Sequence, residues 1–280
     1  QKYLDGRLKM HGLYKVMRAP DPRALYGDFK RGCASYREGT TWTDVQEQAF
    51  EEVCRRVDGK GEDVNSPSDE VGMTMLLHAA VRGQVWAARW LLGRRADVHA
   101  VTRDDGATAL FLAAENGHFD TVQVLLAQRA DVDRATTSHR TSPLSMAASH
   151  GDIDVAQVLL AARANANAPR DDGLTPLWQA VHGGHMDVAQ ALLDAAADVN
   201  RARPADACTP LLVAAQYGYT DVVGALLAAG ADARGAKKDD GVAPLGMAAF
   251  RGHDAVAQAL LLARADADAA THEAKTPLYL

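Results

Sequence analysis

The amino-acid sequence predicts an all-α repeat solenoid, an elongated domain of stacked helix pairs. A leucine recurs at spacings of 33 or 34 residues, and a fixed period of this length is typical of repeat proteins. Each of the first six leucines is followed seven residues later by a glycine, and each glycine nine residues later by the second residue of an apolar pair. The leucines are Leu76, Leu110, Leu144, Leu177, Leu211, Leu245 and Leu278. Because the inner distances never vary, length changes fall in the loop that connects two units.

The fourth unit shows how each unit forms two short helices. Thr175 precedes Pro176 and Leu177, which predicts a helix start, because a hydroxyl caps the first turn and proline is tolerated there. Gly184 then interrupts the helix. The apolar residues of 188–193 recur at helical spacing, which predicts a second helix. One such pair cannot bury its own apolar face, so the units must stack.

Two segments carry the repeat most clearly. Residues 171–200 read DDGLTPLWQAVHGGHMDVAQALLDAAADVN, and residues 104–133 read DDGATALFLAAENGHFDTVQVLLAQRADVD. Both resemble the ankyrin repeat, whose pattern is DxxGxTPLHxAAxxGHxxVVxxLLxxGADVN. The resemblance implies helix pairs joined by β-hairpin fingers.

The resemblance also predicts the division of the chain. The predicted parts are a basic, aromatic-rich and largely irregular N-terminal arm (1–42), a degenerate capping half-repeat (43–68), six ankyrin repeats (69–270) and the start of a truncated seventh (271–280). Because the sequence starts without methionine and stops inside the seventh unit, we expect the natural protein to be longer or its end to be covered by a partner.

The sequence departs from the ankyrin pattern at two positions. The histidine of TPLH is replaced in every unit, by Leu77, Phe111, Ser145, Trp178, Leu212, Gly246 and Tyr279. The glycine that ends the second helix survives only as Gly230. Its substitutes are Arg95, Arg129, Arg163, Ala196 and Arg264. If the backbone there stays left-handed, each substitute should cost about 1 kcal/mol of stability relative to glycine.

Charge is distributed unevenly along the chain. Residues 1–42 hold nine Lys or Arg and four acids, a net charge of +5, whereas residues 43–280 hold 21 basic and 32 acidic residues, a net charge of −11. The acidic body argues against nucleic-acid binding, because it repels phosphates. The arm holds six of the sixteen aromatic residues, which favours docking on a protein over a solvated tail, with anionic lipid or nucleic acid as further alternatives. Its candidate contact residues are Arg18, Arg23 and Tyr26.

No pattern in the sequence indicates catalysis, a cofactor or a bound metal. His182 and His185 have ligand-like spacing, but Gly184 lies between them, so the two rings do not share a helical face. In the ankyrin family the histidine of the GH position is structural, and the residues there include His118, His185 and His253. Adjacent acids such as Asp104 and Asp105 are expected to be solvated, without the burial or positioned partner that catalysis by a carboxylate requires.

The resemblance implies a concave groove that binds a protein through the finger tips and the residues just after the paired alanines. The candidate contacts are Asp104, Asp105, Glu115, Asn116, His139, His150, Asp171, Asp172, His182, Tyr217, Asp239, Asp240, Phe250 and Arg251. Asp206 lies at the fifth tip. Tyr217, Phe250 and Arg251 are the preferred contacts, because aromatic and arginine residues dominate binding hot spots. The alternative for Phe250 is that it packs under the next finger.

Trp86 occupies an outer position of the second helix where four other units carry aspartate, and Trp90 follows one turn later. A bare indole at this position would expose a large apolar surface to water. We therefore expect residues 1–42 or a partner to cover Trp86.

The predicted function is a scaffold or adaptor that binds one or more proteins and no small-molecule substrate. The three cysteines, Cys33, Cys54 and Cys208, form no CxxC pair, which favours a reducing intracellular compartment, either the cytoplasm or the interior of an organelle. Membrane contact is expected only indirectly or through the arm. Two alternatives stay open: a structural subunit of a large complex, such as a membrane-associated organellar one, held through the arm, and a regulatory module of a longer enzyme.

Overall fold

The computed structural model describes residues 63–67 and 69–278, and this part of the chain is all-helical, as predicted. Its twelve helices form six consecutive pairs, numbered here as units one to six. The first helices of the pairs are α1 (Met75–Val81), α3 (Ala109–Glu115), α5 (Pro143–His150), α7 (Pro176–His182), α9 (Pro210–Tyr217) and α11 (Pro244–Arg251). The second helices are α2 (Val85–Gly93), α4 (Phe119–Ala127), α6 (Ile153–Ala161), α8 (Met186–Asp194), α10 (Thr220–Ala228) and α12 (Asp254–Leu262). The predicted arm, and most of the predicted half-repeat, lie outside the described residues.

A capping hydroxyl starts the first helix in five of the six pairs. Its oxygen accepts a hydrogen bond from the backbone N–H three residues later, at 3.1 Å between Thr108 and Phe111. The caps are Thr74, Thr108, Ser142, Thr175 and Thr209. Thr175 and Pro176 confirm the predicted helix start. Ala243 stands at the sixth position and has no side chain that could cap.

The helices stack in two rows, as a repeat protein requires. Each first helix packs on the first helix of the next unit, which makes the inner row, and the second helices make the outer row. The leucines of the period are buried in all six units. Small side chains such as Ala113 and Ala114 are fully buried between them, which allows the helices to approach closely. The core is therefore a continuous band rather than a single centre.

Histidines at the start of the second helices link neighbouring units. The ring Nε2 of His118 lies 3.0 Å from the carbonyl oxygen of Val81 in the preceding unit. His185 and His253 make the equivalent contact at 3.2 Å, with the carbonyls of Ser149 and Gln216. Because a carbonyl only accepts, Nε2 carries the proton in each ring. The predicted structural role of the three histidines is confirmed.

The residues that replace the helix-ending glycine have left-handed backbones. Arg95, Arg129, Arg163, Ala196 and Arg264 have φ of 65°, 61°, 67°, 59° and 61°. In this conformation the Cβ atom crowds the following carbonyl oxygen, which costs about 1 kcal/mol or more for any residue but glycine. The backbone is therefore left-handed at all five residues that replace glycine, and the predicted loss of stability applies to five of the six units.

The fingers between units are tight turns rather than paired strands. Among the described residues the only β-bridge is an isolated one between Val101 and Thr108. In the second finger the Thr102 N–H donates to the Ala107 carbonyl at 3.0 Å. Only four residues lie between these two, so the finger is too short for a ladder of strand hydrogen bonds. The β-hairpins implied by the resemblance are therefore reduced to turns.

Backbone hydrogen bonds join neighbouring fingers at every junction but one in the described part of the chain. The bonds run from Arg103 to Val71, Thr137 to Asp105, Asp171 to His139, Lys238 to Asp206 and His272 to Asp240. Each donor follows its acceptor by 32 residues, so the missing bond to Asp172 would come from Pro204. Proline has no N–H to donate. The series of finger bonds is therefore interrupted between units four and five.

Candidate functional site

The predicted contact residues lie mostly exposed along one surface, formed by the finger tips and the last turns of the inner helices. We call this surface the groove face. The exposed candidates are Asp104, His139, His150, Asp171, Asp172, His182, Tyr217, Asp239, Asp240, Phe250 and Arg251. Glu115 and Asn116 are half-buried, and Asp105 is buried.

Asp105 is an internal part of its finger, so the expectation that it would be solvated is wrong. Its side chain is only 8% exposed. The Thr102 hydroxyl donates to Asp105 Oδ1 at 2.5 Å, and the Ala107 N–H approaches the same oxygen at 3.3 Å. Asp105 is buried because its carboxylate turns inward to reach these two donors and so closes the finger. Asp104, beside it in sequence, is exposed as expected.

Asp206, at the tip of the fifth finger, is also buried. Arg203 donates from Nε to Oδ1 at 2.9 Å and from Nη2 to Oδ2 at 2.5 Å, and the Cys208 N–H adds a bond of 3.1 Å. The hydrogen bonds from Arg203 lower the pKa of Asp206 to about 2. This acid therefore fixes the finger, contrary to the expectation that the tip would offer it to a partner.

Exposed acids of the fourth finger have basic neighbours. Asp171 lies 4.0 Å from Arg140, and Asp172 lies 3.4 Å from Arg170. Pairs this exposed are weak, about 0.5 kcal/mol each. They nevertheless balance the charge on this stretch of the groove face.

Four aromatic rings form a continuous row across units four and five, which we call the aromatic row. Trp178 stacks on His182 with ring centroids 5.0 Å apart, and Tyr217 meets His182 edge-on at 5.6 Å. Tyr219 stacks on Tyr217 at 5.6 Å. The Tyr217 hydroxyl also lies 3.4 Å from His182 Nε2. The row therefore fixes the orientation of the exposed Tyr217 ring.

Trp178 anchors the row in the core. It is 6% exposed, and its Nε1–H donates to the Cys208 carbonyl of the next unit at 3.2 Å. The Arg203 guanidinium lies 5.3 Å from the indole centroid. Trp178 occupies the TPLH histidine position and Tyr219 the GH position of unit five. The sequence signal for the row was that an aromatic residue replaces the TPLH histidine in unit four and the GH histidine in the adjacent unit five.

Phe250 and Arg251 extend the groove face into unit six. Phe250 is 61% exposed, so the alternative that it packs under the next finger is wrong. Tyr217 is 43% exposed, and both are large apolar side chains facing water. The Arg251 guanidinium lies 5.8 Å from the Phe250 ring centroid. Within the described part of the chain, Arg251 takes part in no ion pair.

Comparison with known proteins assigns the architecture. The family model described as "Ankyrin repeats (3 copies)" matches residues 45–136, 76–169 and 144–236, which together span most of the chain. The chain belongs to the ankyrin-repeat family. A comparison with curated proteins finds no match.

Two solved ankyrin repeat domains are similar to this ankyrin solenoid. The domain of human ASB11 aligns with a TM-score of 0.64 and 28% identity, over 74% of this chain and 91% of that one. The domain of Bcl-3, a member of the IkappaB protein family, aligns with a TM-score of 0.67 and 24% identity, over 75% of this chain and 94% of that one. The second likeness concerns the fold alone.

The tryptophans of the first repeat lie in α2. Trp86 and Trp90 are half-buried and pack against the core, and the Arg94 guanidinium lies 3.6 Å from the Trp90 ring centroid. Residues 1–42, with Arg18, Arg23 and Tyr26, lie outside the described residues. A covering role for the arm over Trp86 therefore stays a prediction.

No cluster of three or more His, Cys, Asp or Glu side chains in residues 63–67 and 69–278 could hold a metal ion. Burial raises the pKa of the Cys208 thiol, which disfavours the reactive thiolate form. The helices of this part, at seven to nine residues, fall far short of the roughly 20 needed to span a bilayer.

Proposed function

We propose that this ankyrin-repeat protein is a non-enzymatic scaffold or adaptor whose groove face binds a partner protein at units five and six. Ankyrin repeats are generally protein-interaction modules. The observation that carries the proposal is the exposure of Tyr217 and Phe250, at 43% and 61%, whereas Trp178, at the end of the aromatic row, is buried.

Energetics favour this location over the finger tips. Aromatic residues bury a large area with few rotatable bonds, so they lose little entropy on binding, and arginine adds charge-assisted hydrogen bonds. Because contacts with His182 and Tyr219 already restrain Tyr217, little further ordering is required when a partner docks. The carboxylates of Asp105 and Asp206, by contrast, are committed to their own fingers.

A reducing intracellular compartment agrees with the free, buried Cys208 thiol. The alternative of a structural subunit held through the basic arm depends on residues 1–42, where Arg18, Arg23 and Tyr26 are the residues to test.

The proposal is tested by comparing alanine variants. A partner is first isolated by affinity purification of the full chain with mass spectrometry, and its dissociation constant is then measured against each variant. Tyr217→Ala and Phe250→Ala should each weaken binding by roughly 2 kcal/mol, about 30-fold, because each removes a hot-spot ring.

Two controls define the outcome. Glu115→Ala, on the groove face of unit two, and Asp221→Ala, on the outer row, should change affinity little. The melting temperature of each variant must stay unchanged, since a packing role would lower stability and binding together. Unaltered affinity in both aromatic variants would contradict the proposal and direct attention to the arm.

A further inference from the structure

We infer that the groove face at units five and six recognises an acidic segment of the partner, one that places apolar side chains on Tyr217 and Phe250 and a carboxylate on Arg251. The inference rests on the proposed function and specifies the chemistry of the partner at that site.

The aromatic row offers a surface to lie on rather than a slot to enter. Neighbouring rings are in contact, with centroids 5.0 to 5.6 Å apart, so no space remains between them for a methylated ammonium group. A ring-lined cage for a cation requires an open cavity between its walls. The ligand group that fits is therefore an apolar side chain laid against the exposed faces of Tyr217 and Phe250.

Charge on the groove face selects the polar part of the ligand. Three arginines in the fingers of units three to five have carboxylate partners: Arg140 lies near Asp171, Arg170 near Asp172, and Arg203 binds Asp206. Arg251 has no such partner among the described residues. Its guanidinium is exposed beside the Phe250 ring, where it can donate two parallel hydrogen bonds to a carboxylate.

The rest of unit six does not offset this charge. In its finger Lys237 and Lys238 balance Asp239 and Asp240 in number. The carboxylate of Asp240 accepts the Val242 N–H at 3.0 Å within the finger. Asp254 belongs to α12 of the outer row and forms no ion pair with Arg251. Arg251 is therefore the uncompensated charge beside the exposed rings.

A single guanidinium suits a carboxylate better than a nucleic acid. Nucleic-acid backbones carry a charge at every nucleotide and are held by several cations together. Residues 43–280 carry a net charge of −11, which repels such a polyanion. A peptide segment with one or two carboxylates next to an apolar side chain can pair with Arg251 without lying along the rest of the acidic solenoid.

The spacing of the two rings sets the spacing of the ligand. Tyr217 and Phe250 belong to adjacent units, and neighbouring packed helices lie about 8–10 Å apart. An extended chain covers that distance in about three residues, at about 3.4 Å per residue. The segment should therefore carry its two apolar groups about three residues apart, with the acid next to the one that rests on Phe250.

The test uses a displayed library of random twelve-residue peptides selected on the full chain. Enriched peptides should contain Asp or Glu beside an aromatic or aliphatic residue. Fluorescence anisotropy with an enriched peptide should show binding weakened about ten-fold or more by Arg251→Ala, as expected for loss of a charge-assisted pair. Selection on Arg251→Glu should enrich Lys or Arg at the position of the acid. Arg134→Glu, the same charge change at an exposed residue of unit three, should leave the selection unchanged.

The other outcomes separate the inference from the proposed function. Enriched peptides that need Tyr217 and Phe250 but carry no acid would overturn the inference and leave the proposed function standing, as would selection of no peptide while the purified partner still requires both rings. A 20-nucleotide single strand that binds through Arg251 more tightly than the peptides would also overturn it. Peptides and partner that are insensitive to Tyr217→Ala and Phe250→Ala would contradict the proposed function itself.

Discussion

At the residue scale, left-handed arginines at the ends of the second helices lower stability. Arg163 has φ of 67° although it carries a side chain, and it forms no hydrogen bond except that of its own backbone N–H to Leu160. For arginine this conformation costs about 1–2 kcal/mol of stability. Replacement by glycine would recover only part of that cost, because glycine also increases the conformational entropy of the unfolded chain. The strain is therefore removable at an exposed site.

We expect Arg163→Gly to raise the free energy of unfolding by about 0.5–1 kcal/mol in a urea titration. Arg134→Gly is the matched control, because Arg134 has no positive φ and glycine there only loosens the unfolded chain. The control should be neutral or slightly destabilising. An Arg163→Gly variant no more stable than the Arg134→Gly variant would refute this account of strain.

Asp206 makes stability depend on pH. Its pKa falls from 3.8 to about 2 in the folded state, so the folded chain binds fewer protons than the unfolded chain between these values. The contribution is therefore complete above about pH 4 and is lost as the pH falls toward 2. Because Arg203 is 35% exposed, solvent reduces the stabilisation to about 1 kcal/mol.

Asp206→Asn should lower the free energy of unfolding by about 1 kcal/mol at pH 7, with a smaller loss at pH 3. Asp172→Asn removes the charge of an acid that is more exposed than Asp206 and lies near Arg170. This control should change stability little at either pH. Urea titrations at the two pH values measure both variants. An equal loss for Asp206→Asn at pH 7 and pH 3 would show that packing, not charge, is responsible.

At the scale of the element, α11 is the inner helix without a side-chain cap. Ala243 holds the position where the other units place Thr or Ser. Ala243→Ser should therefore raise the melting temperature, since a capping hydroxyl contributes about 1 kcal/mol. Ser142→Ala in α5 is the reverse change and should lower stability by a similar amount. Opposite signs in these two variants are required; a destabilised Ala243→Ser would indicate that the site lacks room for the hydroxyl.

The helices could be predicted from sequence because each depends on residues close together in the chain. Thr175, Pro176 and Gly184 mark a helix within ten residues. The aromatic row could not be predicted in the same way, because His182 and Tyr217 are 35 residues apart and their contact depends on how units stack. Burial of Asp105 was missed for a similar reason, since a pair of adjacent acids does not reveal that one of them closes the turn.

At the scale of the whole molecule, units four and five are joined differently from the others. Pro204 removes the finger bond to Asp172, while Trp178 donates to Cys208 and the aromatic row connects the two units. On the opposite edge Asn200 accepts the Asp232 N–H at 2.8 Å, as side chains at the equivalent position do between other units. At the finger edge of this junction, side-chain contacts of Trp178 and the aromatic row therefore stand where a backbone bond joins the other fingers.

Nearest-neighbour stacking predicts that a chain cut after Asp198 stays soluble and helical and melts at a lower temperature. The cut leaves units one to four with their mutual contacts intact and removes only the interface with unit five. Circular dichroism during heating measures both properties. Complete loss of helical structure in the fragment would indicate a single global core instead.

Photo-crosslinking of the full chain in cells tests the central claim, that the groove face at units five and six binds a protein, most directly. Benzoylphenylalanine placed at Tyr217 or Phe250 keeps an aromatic ring at each site, and the same residue at Asp221 reports on the outer row. We expect a discrete protein adduct from the two groove-face positions and none from Asp221. Adducts from Asp221 alone, or equal adducts from all three positions, would contradict the claim.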